Sequence, residues 1–208
     1  MIKLGVFNYG MGNLVSITNV LDHYKIPYTL IDYSNKSFDQ TCDGYILPGV
    51  GSFKSAMDIF NVSGLKEFIL NEVEYKQKPI LGICLGMQLL FNSSTEGGGA
   101  NGLGLIEGDI EKLESLELKV PHVGWNQVTI LKENILMPPS NKDFYFDHSF
   151  YVHTPDKNIL GTSEYIQKFA SVVNKGRVFG LQFHPEKSQI YGTKIVKNFF
   201  DICSECNA

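Results

Sequence analysis

Four cysteines and five histidines are the side chains of this 208-residue sequence best suited to attack a carbon or relay a proton. One cysteine is set apart by its neighbours. The segment GICLGMQ (82–88) places Cys84 between Gly82 and Gly86, after the apolar run PILGIC (79–84) and before a helix-like stretch. Strand, tight turn and helix make up a nucleophile elbow, written here with cysteine in place of serine. Glycines on both sides suit a turn in which neighbouring backbone passes too close for a Cβ. A helix N-terminus also favours the thiolate of a sulfur placed there. The competing reading of Cys84 is a buried cysteine that serves only as a small apolar side chain.

A thiol nucleophile needs a base to activate it and to protonate the leaving group. GLQFHPEKS (180–188) supplies His184, with Glu186 two residues on. In an extended segment these two side chains share a side, so Glu186 can orient the imidazole as the third member of a triad. Pro185 stiffens the link between them. An exposed His-Pro turn is the plain alternative. ILPGVGSF (46–53) ends an apolar run in a glycine-flanked loop, which can turn backbone N–H groups toward a developing oxyanion. A simple strand-to-helix turn would look the same.

These residues need a scaffold. KLGVFNY (3–9), YTLID (28–32), GYILPGVG (44–51) and PILGIC (79–84) read as strands; helices are expected over about Asn13–His23, Val62–Tyr75 and 87–94. Strands alternating with helices across short glycine turns imply an α/β fold with a mostly parallel sheet covered on both faces. After residue 100 the pattern changes. EKLESLEL, HVGWNQVTIL, DFYFDHSFYVH and FASVVNKGRVFGLQFHP are rich in aromatic and β-branched residues and read as antiparallel additions, before a last helix at about Tyr191–Cys203. With no repeat or linker, residues 1–208 read as one domain.

Composition narrows the partners. The chain is 43% hydrophobic and 19% charged, with a net charge of −4, which argues against nucleic acid and anionic membranes. No run approaches the roughly 20 apolar residues of a membrane span. MIKLGVFNYG lacks the long apolar region of a signal peptide, so a cytoplasmic location is expected. Cys203 and Cys206 form a lone C-x-x-C without a second pair to complete a zinc site, and read as part of a frayed tail. Cys42 reads as a core or loop thiol. No metal or cofactor is expected.

With Pro-Gly-Val-Gly upstream, the Gly-x-Cys-x-Gly elbow and His-Pro-Glu resemble the class I (triad-type) glutamine amidotransferases. NYGMGNLVSI (8–17), LPGVGSF (47–53), GICLGMQLLF (82–91), PHVGWN (121–126), FDHSFY (146–151) and QFHPEKS (182–188) further resemble the branch whose members are glutaminase subunits of imidazole glycerol phosphate synthase, in histidine biosynthesis. The resemblance implies a flavodoxin-like fold that hydrolyses glutamine to glutamate and ammonia. Cys84 would attack the amide, His184 would act as acid and base, and Glu186 would orient it. Val50, Gly51 and the N–H of Leu85 would form the oxyanion hole. Gly49, Gln88, Glu96, His148, Ser149 and Phe150 would hold the substrate. A (βα)8 cyclase subunit would receive the ammonia in a heterodimer, across an interface that includes Asn13, Ser16, Trp125 and Lys187. Trp125, the single tryptophan, fits core or interface equally on residue type alone.

Three positions depart from the family pattern: Asn8, Asp147 and Phe150 replace residues of other types. They leave open a paralogue that supplies ammonia for amidine-bearing surface sugars. A stand-alone cysteine hydrolase or peptidase would have no need for Gln88, Glu96 or PHVGWN, and a non-catalytic relic of the fold would be free to lose triad members, all three of which are present.

Overall fold

Short apolar runs separated by glycine turns fold into strands and helices in succession. The computed structural model describes residues 2–35, 38–137 and 141–206. Strands β1 (Leu4–Asn8), β2 (Tyr28–Asp32), β3 (Gly44–Leu47) and β4 (Ile80–Ile83) fall on the expected runs, with α1 (Leu14–His23) joining the first two. Between β3 and β4 lie α2 (Phe53–Ser63) and α3 (Leu65–Leu70), the latter continuing into a π-helical turn at Asn71–Tyr75. Helix α4 (Leu85–Leu89) follows β4. Next come β5 (Ser93–Ser94), β6 (Ala100–Asn101), β7 (Asp109–Lys112), β8 (His122–Ile130), β9 (Lys142–His148) and β10 (Phe150–His153). β11 (Ile159–Glu164), β12 (Lys168–Lys175), β13 (Val178–Leu181) and α5 (Gln189–Glu205) complete the order.

Among the described residues, nine strands form one sheet in the order β2-β1-β3-β4-β13-β12-β11-β8-β9, and β10-β7-β5-β6 form a second. Neighbours are parallel from β2 to β13 and antiparallel from β13 to β9. The fold is α/β with antiparallel additions, as expected. Its last strand nevertheless belongs to the parallel set, beside β4. Period-two alternation sorts the core onto two faces. Leu4 and Val6 of β1 pack with Ile17 and Leu21 of α1 and with Val196 and Phe199 of α5. Phe7 faces the other way, toward Phe53 and Phe60 of α2 and Met87 of α4.

Several boundaries differ from expectation for identifiable reasons. The helix expected at Val62–Tyr75 is broken at Gly64, which takes a left-handed φ of +80°. Helix α2 before it was legible in Phe53, Ala56, Met57 and Phe60, one buried stripe at i, i+3, i+4 and i+7. The helix expected at 87–94 is only α4, and Ser93–Ser94 is a strand. Most of EKLESLEL is loop, with Leu116 and Leu118 exposed. The expected frayed tail is helical through Glu205, and Cys203 is buried, its sulfur filling the space where Gly44 has no Cβ. Residues 207 and 208 lie outside the described residues. Cys42 is a core thiol.

The glycines of GICLGMQ are required sterically. A Cβ on Gly82 would lie 2.6 Å from the Gly86 carbonyl oxygen, and one on Gly86 would collide with that of Leu47. Gly86→Ala is therefore expected to cost at least about 3 kcal/mol, because backbone on both sides has no room to move. Gly176→Ala is the control. Gly176 has φ +60° with open space around it, so only the left-handed backbone penalty of about 1–2 kcal/mol applies. Urea unfolding of both variants checks the contrast, and equal losses would rule out the close approach at Gly86.

Candidate active site

β4 stops at Ile83 and α4 begins at Leu85, so Cys84 alone makes the turn between them. It has φ +53° and ψ −110°, a conformation that costs an L-residue on the order of 1–3 kcal/mol and persists only where its surroundings enforce it. The Cys84 N–H donates to the Leu181 carbonyl at 2.7 Å, and the Cys84 carbonyl accepts the Gln88 N–H at 3.1 Å. The side chain is buried, with Sγ 3.7 Å from the Asp147 carbonyl oxygen and 3.9 Å from Gln182 Nε2.

Strand register brings the base to the sulfur. β13 runs parallel to β4 with Gly180 opposite Gly82 and Leu181 opposite Ile83, so the residues just beyond β13 emerge beside Cys84. His184 is pinned there by its N–H, which donates to the Tyr145 carbonyl of β9 at 2.8 Å. Ser188 ties the same two residues together. Its hydroxyl donates to the His184 carbonyl at 2.5 Å and accepts the Tyr145 N–H at 2.9 Å.

Glu186 meets His184 for a different reason from the one expected. The segment Pro185–Lys187 is a 3-10 turn, not extended chain, with Pro185 at its first position. The turn curls Glu186 back so that Oε1 lies 2.8 Å from His184 Nδ1. Both side chains are almost wholly buried. His184 Nε2 has no hydrogen-bond partner among the described residues, which leaves that atom to the neighbouring Cys84 thiol. Burial works against a charged His184, but the adjacent Cys84 and Glu186 side chains outweigh it and raise the imidazole pKa to about 10. The arrangement is that of a thiol nucleophile beside an imidazole base that a carboxyl group orients.

A cavity of about 220 Å³ opens over the sulfur. Of the residues anticipated around the substrate, Val50, Gly51, Leu85, Gln88, Glu96, His148, Ser149 and Phe150 all line it. Gly49 does not. It packs behind the wall against Tyr9 and Leu85, where a side chain would not fit. Pro121 and Asp147 complete the lining. Two of the anticipated groups are already engaged. Glu96 Oε2 accepts the Phe53 N–H at 2.7 Å, at the start of α2, and the Val50 N–H points at the Met11 carbonyl, 3.4 Å away. Gln182 and Ser188 escaped the sequence reading. The signal for Gln182 was its place two residues before His184, on the same side of the strand.

Of the four anticipated interface residues, Trp125 and Lys187 converge on one ring. Trp125 is half exposed and meets Tyr145 edge-on with centroids 6.2 Å apart, while Lys187 Nζ lies 5.4 Å from the same ring. Asn13 caps α1 by accepting the Ser16 N–H at 3.3 Å, and Ser16 borders a groove between α1 and α5 that reaches Glu186.

The chain belongs to the class-I glutamine amidotransferase family, whose model matches residues 6–203. Its relatives within that family carry a more specific name. It is 42% identical to imidazole glycerol phosphate synthase subunit HisH of Bacillus licheniformis over 97% of both chains. It is 44% identical to the subunit of the same name in Methanocaldococcus jannaschii, over 96% of this chain and 99% of that one. Among solved structures, a glutamine amidotransferase superposes with a TM-score of 0.75 at 16% identity, covering 97% of this chain and 98% of the other. PurLQS from Thermotoga maritima gives 0.72 at 18%, with the same coverage. At these identities the likeness is one of fold.

The raised pKa of His184 has a definite sign. Because the folded value lies above the ordinary 6.5, the imidazolium stabilises the fold fully below that pH. The contribution fades as pH rises through about 10. Cys84→Ala removes the strongest upward influence and leaves burial opposed by Glu186 alone, so the His184 titration should move downward. Side-chain NMR titration of the ring checks this, and an unmoved midpoint would exclude Cys84 as its charge partner.

Proposed function

We infer that the chain hydrolyses glutamine to glutamate and ammonia and supplies the ammonia to the cyclase subunit of imidazole glycerol phosphate synthase, in histidine biosynthesis. The observation that carries the reading is a strained Cys84 that lines a cavity large enough for an amino acid and has the paired His184 and Glu186 beside it. The family and the HisH relatives support the substrate and the pathway.

The chemistry follows from the geometry. The Cys84 thiolate attacks the carboxamide carbon of glutamine. His184, held through Nδ1 by Glu186, gives the proton on Nε2 to the departing nitrogen, so ammonia leaves and a thioester remains. The now neutral His184 takes a proton from water, whose oxygen attacks the thioester. Glutamate departs and the thiolate–imidazolium pair is restored. Backbone N–H groups of Leu85 and of the Val50–Gly51 loop would stabilise the tetrahedral oxyanion. With the Val50 N–H turned to Met11, the loop must reorient to take part. A signal from the acceptor site is the natural trigger, and it would keep glutamine hydrolysis in step with ammonia use.

Free ammonia becomes protonated in neutral water and loses its nucleophilicity, so the reading includes a closed passage into a (βα)8 partner. Trp125, Lys187, Asn13 and Ser16 would face that partner. A cytoplasmic location belongs to the same reading. Among the described residues, no helix is long and apolar enough to cross a membrane.

The test is release of ammonia and glutamate from glutamine, measured with the chain alone and with the cyclase subunit and its nucleotide acceptor. Strong stimulation by both together is expected. Turnover that ignores this cyclase would redirect the ammonia to another synthase, such as one acting on surface sugars. No turnover under any condition would overturn the reading. Cys84→Ala and His184→Ala should each lower turnover by at least about a thousandfold, because such groups act as a unit. Glu186→Gln should cost less than either. A Cys84→Ala enzyme that still hydrolyses glutamine would remove Cys84 from the mechanism.

A further inference from the structure

Two buried histidines stand outside the Cys84–His184–Glu186 group, His148 in the cavity wall and His122 behind it. His122 on β8 and His148 at the end of β9 face each other across the hairpin, with His122 Nδ1 2.9 Å from His148 Nε2. Their partners fix the direction of every hydrogen bond. His148 Nδ1 lies 2.8 Å from the Phe150 carbonyl, which can only accept, so His148 carries its proton on Nδ1 and presents a bare Nε2. His122 must therefore donate from Nδ1, which leaves its own Nε2 bare. That atom lies 3.3 Å from Asn126 Nδ2, a group oriented by its donation to the Glu164 carbonyl at 2.8 Å.

The chain of donors thus runs one way, from Asn126 through His122 and His148 to the Phe150 carbonyl. The same carbonyl accepts Gln88 Nε2 at 3.1 Å, and Gln88 Nε2 also donates to Gln182 Oε1 at 3.1 Å, beside the Cys84 sulfur. Burial keeps both rings neutral, lowering His122 to about 4 and His148 to about 3. The His122 ring lies between Tyr165 and Phe146, with centroids 4.1 Å and 4.9 Å away and nearly parallel planes, so it cannot turn to exchange its nitrogens.

We propose that His122 is a positioning residue for glutamine binding: its Nδ1–H holds His148 Nε2 while the Phe150 carbonyl holds Nδ1, and the ring so fixed keeps the Phe150 carbonyl and the Gln88 amide in place in the cavity wall. The proposal rests on the reading of this cavity as the glutamine site. Without the donor at His122, His148 Nε2 would be a buried acceptor with no partner, an arrangement that costs free energy. The ring would turn to find a donor for Nε2, and the Ser149–Phe150 wall tied to its Nδ1–H would shift with it. The reacting groups Cys84 and His184 stay where strand register puts them, so binding should suffer and the chemical steps should not.

Two substitutions separate the donor from the packing. His122→Phe keeps the ring between Tyr165 and Phe146 but has no donor. His122→Asn places an amide N–H where Nδ1 stood but loses the stack. With the full chain assayed alongside its cyclase partner, His122→Phe should raise KM for glutamine about tenfold, the value of one buried hydrogen bond, with kcat close to wild type. His122→Asn should keep KM within about threefold, even if its melting temperature falls further. Nitrogen-15 NMR of the histidine rings should show His148 with Nδ1–H and a hydrogen-bonded bare Nε2 in wild type and in His122→Asn, and the loss of that Nε2 hydrogen bond in His122→Phe. An Nε2–H His148 in wild type, or a KM that follows melting temperature across the two variants, would overturn the proposal. Wild-type protein that neither binds nor turns over glutamine would instead overturn the reading of the cavity, while the tautomer measurement would still report on the relay.

Discussion

The rest of the site depends on one close approach of backbone to backbone. β3 and α4 come so near that Gly86 can carry no side chain against the Leu47 carbonyl, and Gly82 none against Gly86. With the chain fixed on both sides of Cys84, the residue is left with a positive φ and its sulfur stands clear of both strand and helix. The strain is sustained by packing on every side, since Leu85, Met87 and Leu89 are all buried. A cysteine in a relaxed turn at the same place would let its side chain fall among neighbouring rotamers. Here the backbone leaves little choice, and the orientation of the thiol is settled before any ligand arrives.

The second half of the chain closes the site, and it does so through hydrogen bonds between main chains. The parallel half ends with β13, which brings His184 to the elbow but does not by itself hold it. The antiparallel hairpin β8–β9 supplies the hold, through the bridge between Tyr145 and His184 and the two bonds of Ser188. The same hairpin carries His122, His148 and Trp125. One two-stranded element therefore touches the base, the cavity wall and the outer surface. A displacement of β9 felt at Trp125 and Tyr145 would be transmitted to His184 without passing through the hydrophobic core. Coupling of this kind needs only a stiff hairpin and a shared backbone bond.

The chemistry was more legible in the sequence than its support. The elbow announced itself because close backbone approach demands glycine, and glycine at 82 and 86 is visible in the letters. His184 and Glu186 were found by adjacency, although their contact comes from a 3-10 turn that no alternation pattern encodes. Long-range partners left no trace. Nothing near Ser188 in sequence points to Tyr145, and nothing near His122 points to His148, since strand pairing across 26 residues makes that contact. Helix α2 lies outside the expected elements although its apolar stripe, Phe53, Ala56, Met57 and Phe60, stands in the letters directly after the glycine loop. Gly49, matched by pattern to the substrate, packs against Tyr9 and Leu85, a contact that its neighbours in sequence do not encode.

Three histidines buried within this one region are driven to opposite charge states, and burial alone does not explain that. Desolvation lowers the pKa of each, and for His122 and His148 it prevails, because their partners are carbonyls, an amide and each other. His184 has a carboxylate at Nδ1 and a thiol beside Nε2, and these reverse the sign. A charged His148 would repel the imidazolium of His184, so keeping His148 and His122 neutral protects the charge at the elbow. The division of labour follows from ligand type: where a histidine must hold shape it is given neutral acceptors, and where it must move a proton it is given an anion.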